Sequence, residues 1–245
     1  MDVQLDGPPS QVMTGFAQRL QRAEDILCAV AAGHGPGEIV LASSLSAEDM
    51  VLTHLIVALS LPIGVFTLDT GRLHQETLHL IAQAKERLGV AIDVRQPDPE
   101  AVNDYVATHG RDAFYESLEL RQRCCAIRKV APLALALEGK AAWITGQRRQ
   151  QGQTRGALEE IEFDTARGMK KLNPLASWSW SDVMTYVRLY EVPINPLHAR
   201  GYPSIGCEPC TRAIRPGEDP RAGRWWWEQK NSKECGLHVP GAPTV

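Results

Sequence analysis

The 245-residue chain has no run approaching the roughly 18–20 consecutive apolar residues of a membrane-crossing helix, which argues against a helical membrane anchor. Its opening stretch, Met1–Ser10, carries Asp2 and Asp6 and no basic cluster ahead of an apolar core, so it does not read as a secretory signal. Neither sign of charge dominates. The 26 Lys and Arg against 29 Asp and Glu leave a net charge of −3, with no general attraction for nucleic acid. Internal repeats are also lacking. A cytoplasmic protein is the expectation. Thiols stay reduced there, which disfavours a disulfide framework.

What is present is ordinary globular composition, 44% hydrophobic and 22% charged. Strand-length apolar runs bounded by turn signals recur at Glu38–Leu45, Pro62–Leu68, Val90–Val94 and Ala141–Thr145. Between and around them lie helical patterns at Ser10–Ala32, Ala47–Leu59, His74–Leu88, Ala126–Leu137 and Ser181–Tyr190. Strand alternating with helix predicts an α/β fold: one doubly wound, mostly parallel sheet with helices on both faces. Gln147–Glu159 is polar and reads as a long loop, and Pro, Gly and Cys punctuate the chain from Pro193 onward.

Ligands bind such sheets at the carboxyl ends of the strands. Two of those ends are marked. Leu41–Asp49 turns from strand to helix, with Ser44, with Ser46 as N-cap and with Asp49 three residues on. Phe66–Arg72 ends a strand with Asp69, hydroxyls, a glycine and Arg72. Two basic groups, one of Arg121, Arg123, Arg128 and Lys129 and the other of Arg148, Arg149 and Arg155, fit a pocket for a compact anion.

Five of the six cysteines form a pattern: Cys124-Cys125, then Cys207-Glu-Pro-Cys210, then Cys235. Cys28 sits in an Ala, Leu, Ile and Val context and reads as a buried small hydrophobe. Four thiolates from two distant segments can hold a [4Fe-4S] cluster or a zinc ion. Neighbouring Cα atoms are about 3.8 Å apart, so adjacent sulfurs reach two metals of a cluster more comfortably than one tetrahedral ion, which favours iron–sulfur. Cys235, between Lys233 and His238, reads as a nucleophile on a mobile arm whose basic neighbours raise its thiolate fraction.

The motifs Ser44-Leu-Ser-Ala-Glu-Asp49, Leu68-Asp-Thr-Gly-Arg72, Arg123-Cys-Cys-Ala-Ile-Arg-Lys129 and Thr145-Gly-Gln-Arg-Arg149 with Arg155 occur in that order. They are followed by Asn173-Pro-Leu175, Asp182-Val183, Gly201-Tyr-Pro-Ser-Ile-Gly-Cys-Glu-Pro-Cys-Thr211 and Lys233-Glu-Cys-Gly-Leu-His238. In these the chain resembles the assimilatory adenylyl-sulfate (APS) reductases, relatives of the 3′-phospho-APS (PAPS) reductases in the PP-loop superfamily. The resemblance implies an adenine nucleotide alpha hydrolase-like fold. It also implies reduction of APS to sulfite and AMP by thioredoxin or glutaredoxin.

It implies further that Cys124, Cys125, Cys207 and Cys210 bind a [4Fe-4S] cluster and that Cys235 takes the sulfonate. The substrate set it implies comprises Ser44, Ser46, Asp69, Arg72, Lys129, Arg148, Arg155, Arg221, Arg224 and His238. On this reading residues 1–215 are the nucleotide-binding domain with the iron–sulfur site, residues 216–245 are the catalytic tail, and the chain is a candidate homo-oligomer. An ATP-cleaving PP-loop needs glycines where Leu45 and Ala47 stand, so ATP hydrolysis is not expected. PAPS use, alone or with APS, is the nearest alternative, and a non-catalytic four-cysteine redox sensor the more distant one. Trp225-Trp226-Trp227 is expected to pack the base of the tail against the domain.

Overall fold

The computed structural model describes residues 9–151 and 157–228, with side chains from Met13 onward. Six strands form one sheet: β1 (Ile39–Ser43), β2 (Gly64–Leu68), β3 (Asp93–Arg95), β4 (Ala142–Ile144), β5 (Ile161–Asp164) and β6 (Met169–Leu172). Their order is β3-β2-β1-β4-β6-β5, and all pairings are parallel except β5 with β6. Leu41 of β1 lies opposite Val65 on one side and Ile144 on the other.

Alternation along the strands sends Ile39, Leu41, Val65, Ile144 and Leu172 to one face. There they meet α1 (Pro9–Ala32), α2 (Ala47–Ala58), α3 (Gln75–Leu88) and α7 (Trp180–Leu189) in one large core. Val40, Phe66 and Trp143 point the other way, onto Leu133, Ala136 and Leu137 of α6 (Ala131–Leu137). The helices are placed by their caps. Ser46 starts α2 by accepting from Asp49 N, and Ser179 and Asp182 form a reciprocal capping box at the start of α7. Asp182 also takes an ion pair from Arg19, 2.7 Å long, which fastens α1 to α7.

Several elements were not anticipated. The helix expected from Ala126 begins at Leu118: α5 (Leu118–Cys125) runs through a π turn at Ala126–Val130 into α6. Leu-Glu-Leu-Arg-Gln-Arg-Cys-Cys is too polar to show a helical stripe. α4 (Pro99–His109) buries only Tyr105 and is started by Asp98. The β5–β6 hairpin was missed because its strands are four residues each and carry Lys170 and Lys171. Cys28 is exposed rather than buried; one residue past Leu27, the helical rotation has already carried it off the core stripe. Among the described residues no helix is long and apolar enough to cross a membrane.

The order of the sheet sets the position of the site. The chain moves from β1 outward to β2 and β3, then returns to the other side of β1 as β4. The crevice above the carboxyl ends of β1 and β4 is therefore the topological switch point, where open α/β sheets take ligands.

Candidate active site at the carboxyl edge of the sheet

A cavity of about 460 Å³ opens at that switch point. Its floor is the β1–α2 turn, including Ser44, Ser46 and Asp49, together with Thr145–Arg148 after β4. Phe66, Leu68, Leu133 and Trp143 give it an apolar wall, and Lys129, Arg221, Arg224 and Trp225 bring the cysteine helix and the tail to it.

The floor is held by one carboxylate. Asp49 Oδ2 accepts from Ser44 N (2.7 Å), Ser44 Oγ (2.6 Å) and Ser46 Oγ (3.1 Å). Burial pushes the Asp49 carboxyl up, against the pull of the Ser44 bonds. Leu45 adopts a left-handed backbone, φ 61°, in a position that glycine would take freely. That conformation costs about 1–2 kcal/mol, whereas burying the Leu45 side chain, 1% exposed, returns about 2 kcal/mol. Core packing accounts for leucine here. Gly146 has no such freedom, because a Cβ there would strike the Asp49 carboxylate.

Arg148 lines the cavity but spends its fork on the protein. It donates from Nε to Glu48 Oε1 (2.8 Å) and from Nη1 to Trp178 O (3.3 Å), and Gln151 joins the same Glu48 oxygen at 3.0 Å. Asp69 and Arg72 stand apart from this cavity. Asp69 caps its own turn through Gly71 N and accepts from Gln96. Arg72 donates to Arg111 O and Asp112 and lies over the Phe114 ring. The β2 edge contributes Thr67, Thr70 and Leu73 instead. Arg155, Cys235 and His238 lie outside the described residues.

A second, small cavity of about 20 Å³ adjoins the first, and Cys124, Cys125, Cys207 and Cys210 all line it. Cys124 and Cys125 end α5 at the entry to the π turn, while Cys207 and Cys210 flank a tight turn at Glu208–Cys210. That turn is tied down by Glu208 N to Arg72 O (2.7 Å) and by Trp225 N to Cys210 O (3.1 Å). The described cysteines are all free thiols, with unlike environments. Burial raises the Cys207 thiol, but Lys129, a hydrogen bond with Thr70 (3.2 Å between Oγ1 and Sγ) and Arg224 outweigh it and hold it low. Cys210 is pushed up to about 12 by burial and by the neighbouring Cys207, and burial also raises Cys124. Among the described residues no group of three or more His, Cys, Asp and Glu side chains is arranged to hold a metal ion.

The two cavities share a wall: Lys129 and Trp225 line both. A family model for the phosphoadenosine phosphosulfate reductase domain matches residues 38–213. The chain belongs to this reductase family. An adenosine 5′-phosphosulfate reductase from Burkholderia cepacia is 57% identical over 91% of this chain and 89% of its own length. One from Allochromatium vinosum is 56% identical over 82% of this chain and 78% of its own. A third, from Neisseria meningitidis serogroup A, is 50% identical over 92% of each. In fold the chain is similar to the PAPS reductase of Candida auris, with TM-score 0.66, 21% identity and coverage of 86% of this chain and all of that one. It is also similar in fold to the FMN adenylyltransferase of Candida glabrata, with TM-score 0.57, 14% identity and coverage of 94% and 81%.

For a member of this reductase family, two residues stand out that the sequence reading did not assign to the cavity. Gln147 Oε1 and Trp225 Nε1 are buried with no hydrogen-bond partner among the described residues, and both residues line the larger cavity. They offer an acceptor and a donor that a ligand could satisfy. Only the adjacent Arg148 and Arg224 hinted at their place. Gly206 matters for the opposite reason: its missing side chain leaves the space that the Arg224 guanidinium fills.

Proposed function

We propose that the chain reduces adenosine 5′-phosphosulfate to sulfite and AMP, as a cytoplasmic enzyme of assimilatory sulfate reduction that serves cysteine biosynthesis. The observation that carries this reading is the shared wall. A nucleotide-sized cavity at the switch point meets four thiols through Lys129 and Trp225, with Arg221 and Arg224 on the same side. Curated relatives at 50–57% identity bear the APS reductase name. In this reading residues 1–215 form the nucleotide-binding domain and residues 216–245 the catalytic arm.

A [4Fe-4S] cluster fits the donor set: four free thiols around one cavity, with Arg121, Arg128 and Lys129 beside them to balance thiolate charge. The adjacent pair Cys124-Cys125 favours a cluster over a single zinc ion, because neighbouring sulfurs reach two metals more comfortably than one tetrahedral ion. Cys124, Cys125, Cys207 and Cys210 would hold the cluster. When bound, it supplies a fixed electrostatic and structural anchor beside the cavity.

The protein's own groups supply the rest of the mechanism. The Ser44–Ser46 turn and the Thr145–Arg148 edge seat the nucleotide. Lys129, Arg221 and Arg224 neutralise a phosphosulfate that a thiolate must approach against like charge. The Cys235 thiolate attacks the sulfate sulfur, the S–O bond to AMP breaks, and its electron pair leaves on the phosphate oxygen. Cys235 is left as an S-sulfonate. A thiolate of thioredoxin or glutaredoxin then attacks Cys235 Sγ, sulfite leaves with the S–S electron pair, and the second thiol of the reductant releases the mixed disulfide. Arg155 and His238 complete the substrate set, and Asp69 and Arg72 support the turn behind it.

Sulfite release by anaerobically purified protein, supplied with APS or PAPS and reduced thioredoxin, tests this. Turnover of APS but not PAPS by protein carrying about four irons supports it; PAPS selectivity or a zinc-bearing protein overturns it. Cys235→Ser should lose sulfite release by about a thousandfold or more while still binding AMP.

A further inference from the structure

Arg121 is completely buried, on a helix whose neighbouring side chains are largely polar. Its guanidinium makes a two-pronged ion pair with Glu228, Nε to Oε1 at 2.8 Å and Nη2 to Oε2 at 2.9 Å. It also hydrogen-bonds Cys125. The same group lies 4.6 Å over the Trp225 ring, and the guanidinium of Arg224 lies at the same 4.6 Å from that ring. Trp225 holds this place in a left-handed backbone, φ 41°, a conformation a bulky residue keeps only where its surroundings impose it.

These contacts make one connected path. Cys125 and Glu228 fix Arg121, Arg121 fixes the Trp225 ring, and Trp225 with the gap at Gly206 fixes Arg224 where it lines the larger cavity. Desolvating an arginine and a glutamate is expensive unless geometry is exact at both ends, and removing one partner leaves a buried unpaired charge. A pair placed this deeply, joining the helix of Cys125 to the last described residue of the arm, has a task beyond general stability. We propose that Arg121 and Glu228 are positioning residues that clamp the root of the C-terminal arm to the cysteine-bearing helix and, through Trp225, aim Arg224 into the cavity. The catalytic part of this rests on the APS reductase reading; the clamp itself does not.

The test uses full-length protein with its iron intact, without nucleotide, and follows tryptic cleavage after Lys230 by mass spectrometry. Glu228→Gln keeps the shape and removes the charge. It should be cut about tenfold faster than the parent, and the Arg121→Met, Glu228→Gln double variant should be cut no faster than Glu228→Gln alone. With APS, Glu228→Gln should lose about tenfold in kcat with KM within about twofold, a split that mere loss of folded protein would not produce. Cleavage at the parental rate, or additive effects in the double variant, overturns the clamp. Absent turnover in the parent as well would count against the APS reading alone, because the cleavage rates still decide the clamp. Should Arg121→Met fail to fold, Glu228→Asp replaces the double variant: with charge kept but reach shortened, it must fall between parent and Glu228→Gln in cleavage rate, and any other order overturns the clamp.

Discussion

The two adjoining cavities are built on different principles. The larger one is a product of the sheet. Its floor charges are answered within the protein, Asp49 by Ser44 and Ser46 and Glu48 by Arg148, so that floor contributes shape more than field. The smaller one is assembled from chain segments far apart in sequence, and Arg121, Arg128 and Lys129 surround its thiols. It gathers positive charge that is set against specific partners, Arg121 against Glu228 and Lys129 against Cys207. The difference teaches that seating a nucleotide and polarising it are separate tasks here, joined at Lys129 and Trp225.

The comparison can be broken most severely on the sheet side. Arg148→Ala leaves Glu48 buried without its partner and should destabilise the fold by about 3–5 kcal/mol in urea unfolding; Arg148→Met with Glu48→Gln should recover most of that. If Arg148 serves the ligand instead, the double variant will refold well and still bind AMP poorly. On the thiol side, Lys129→Met should leave unfolding nearly unchanged yet lower kcat/KM for APS by about 10–100-fold, since its contribution is charge. An equal loss of AMP affinity would blur the division.

The smallest effect should come from a site outside both cavities. Asp182 is held below its ordinary 3.8, with burial outweighed by bonds from Arg19 and Ser179. Its contribution to stability is therefore complete above that value and is lost as pH falls through the lower folded value. Asp182→Asn should make stability less steep in that acid window while leaving turnover near neutral pH unchanged.

Much of the large cavity was legible in sequence, because β1, β2, β4, α2 and α3 carry clean periodicity and turn residues. That Cys124, Cys125, Cys207 and Cys210 belong together was also suggested by their spacing, and all four line one cavity. Three things were not. Asp69 and Arg72 sit at a strand end as expected, but neither lines the larger cavity and Arg72 lines the cysteine cavity instead, a direction that local sequence does not encode. The β5–β6 hairpin and α4 bury too little to leave a pattern. The Arg121–Glu228 pair joins residues 107 apart in sequence, and nothing local to either announces the other.

The gap at Gly206 has a genetic corollary. Alanine is the mildest replacement by ordinary similarity, adding one methyl group and no charge. At this position that methyl would occupy the seat of a guanidinium belonging to residue 224. A variant list would score Gly206→Ala as conservative, yet it would make the Arg224 guanidinium shift from its place at the cavity, a change in one residue delivered through the codon of another.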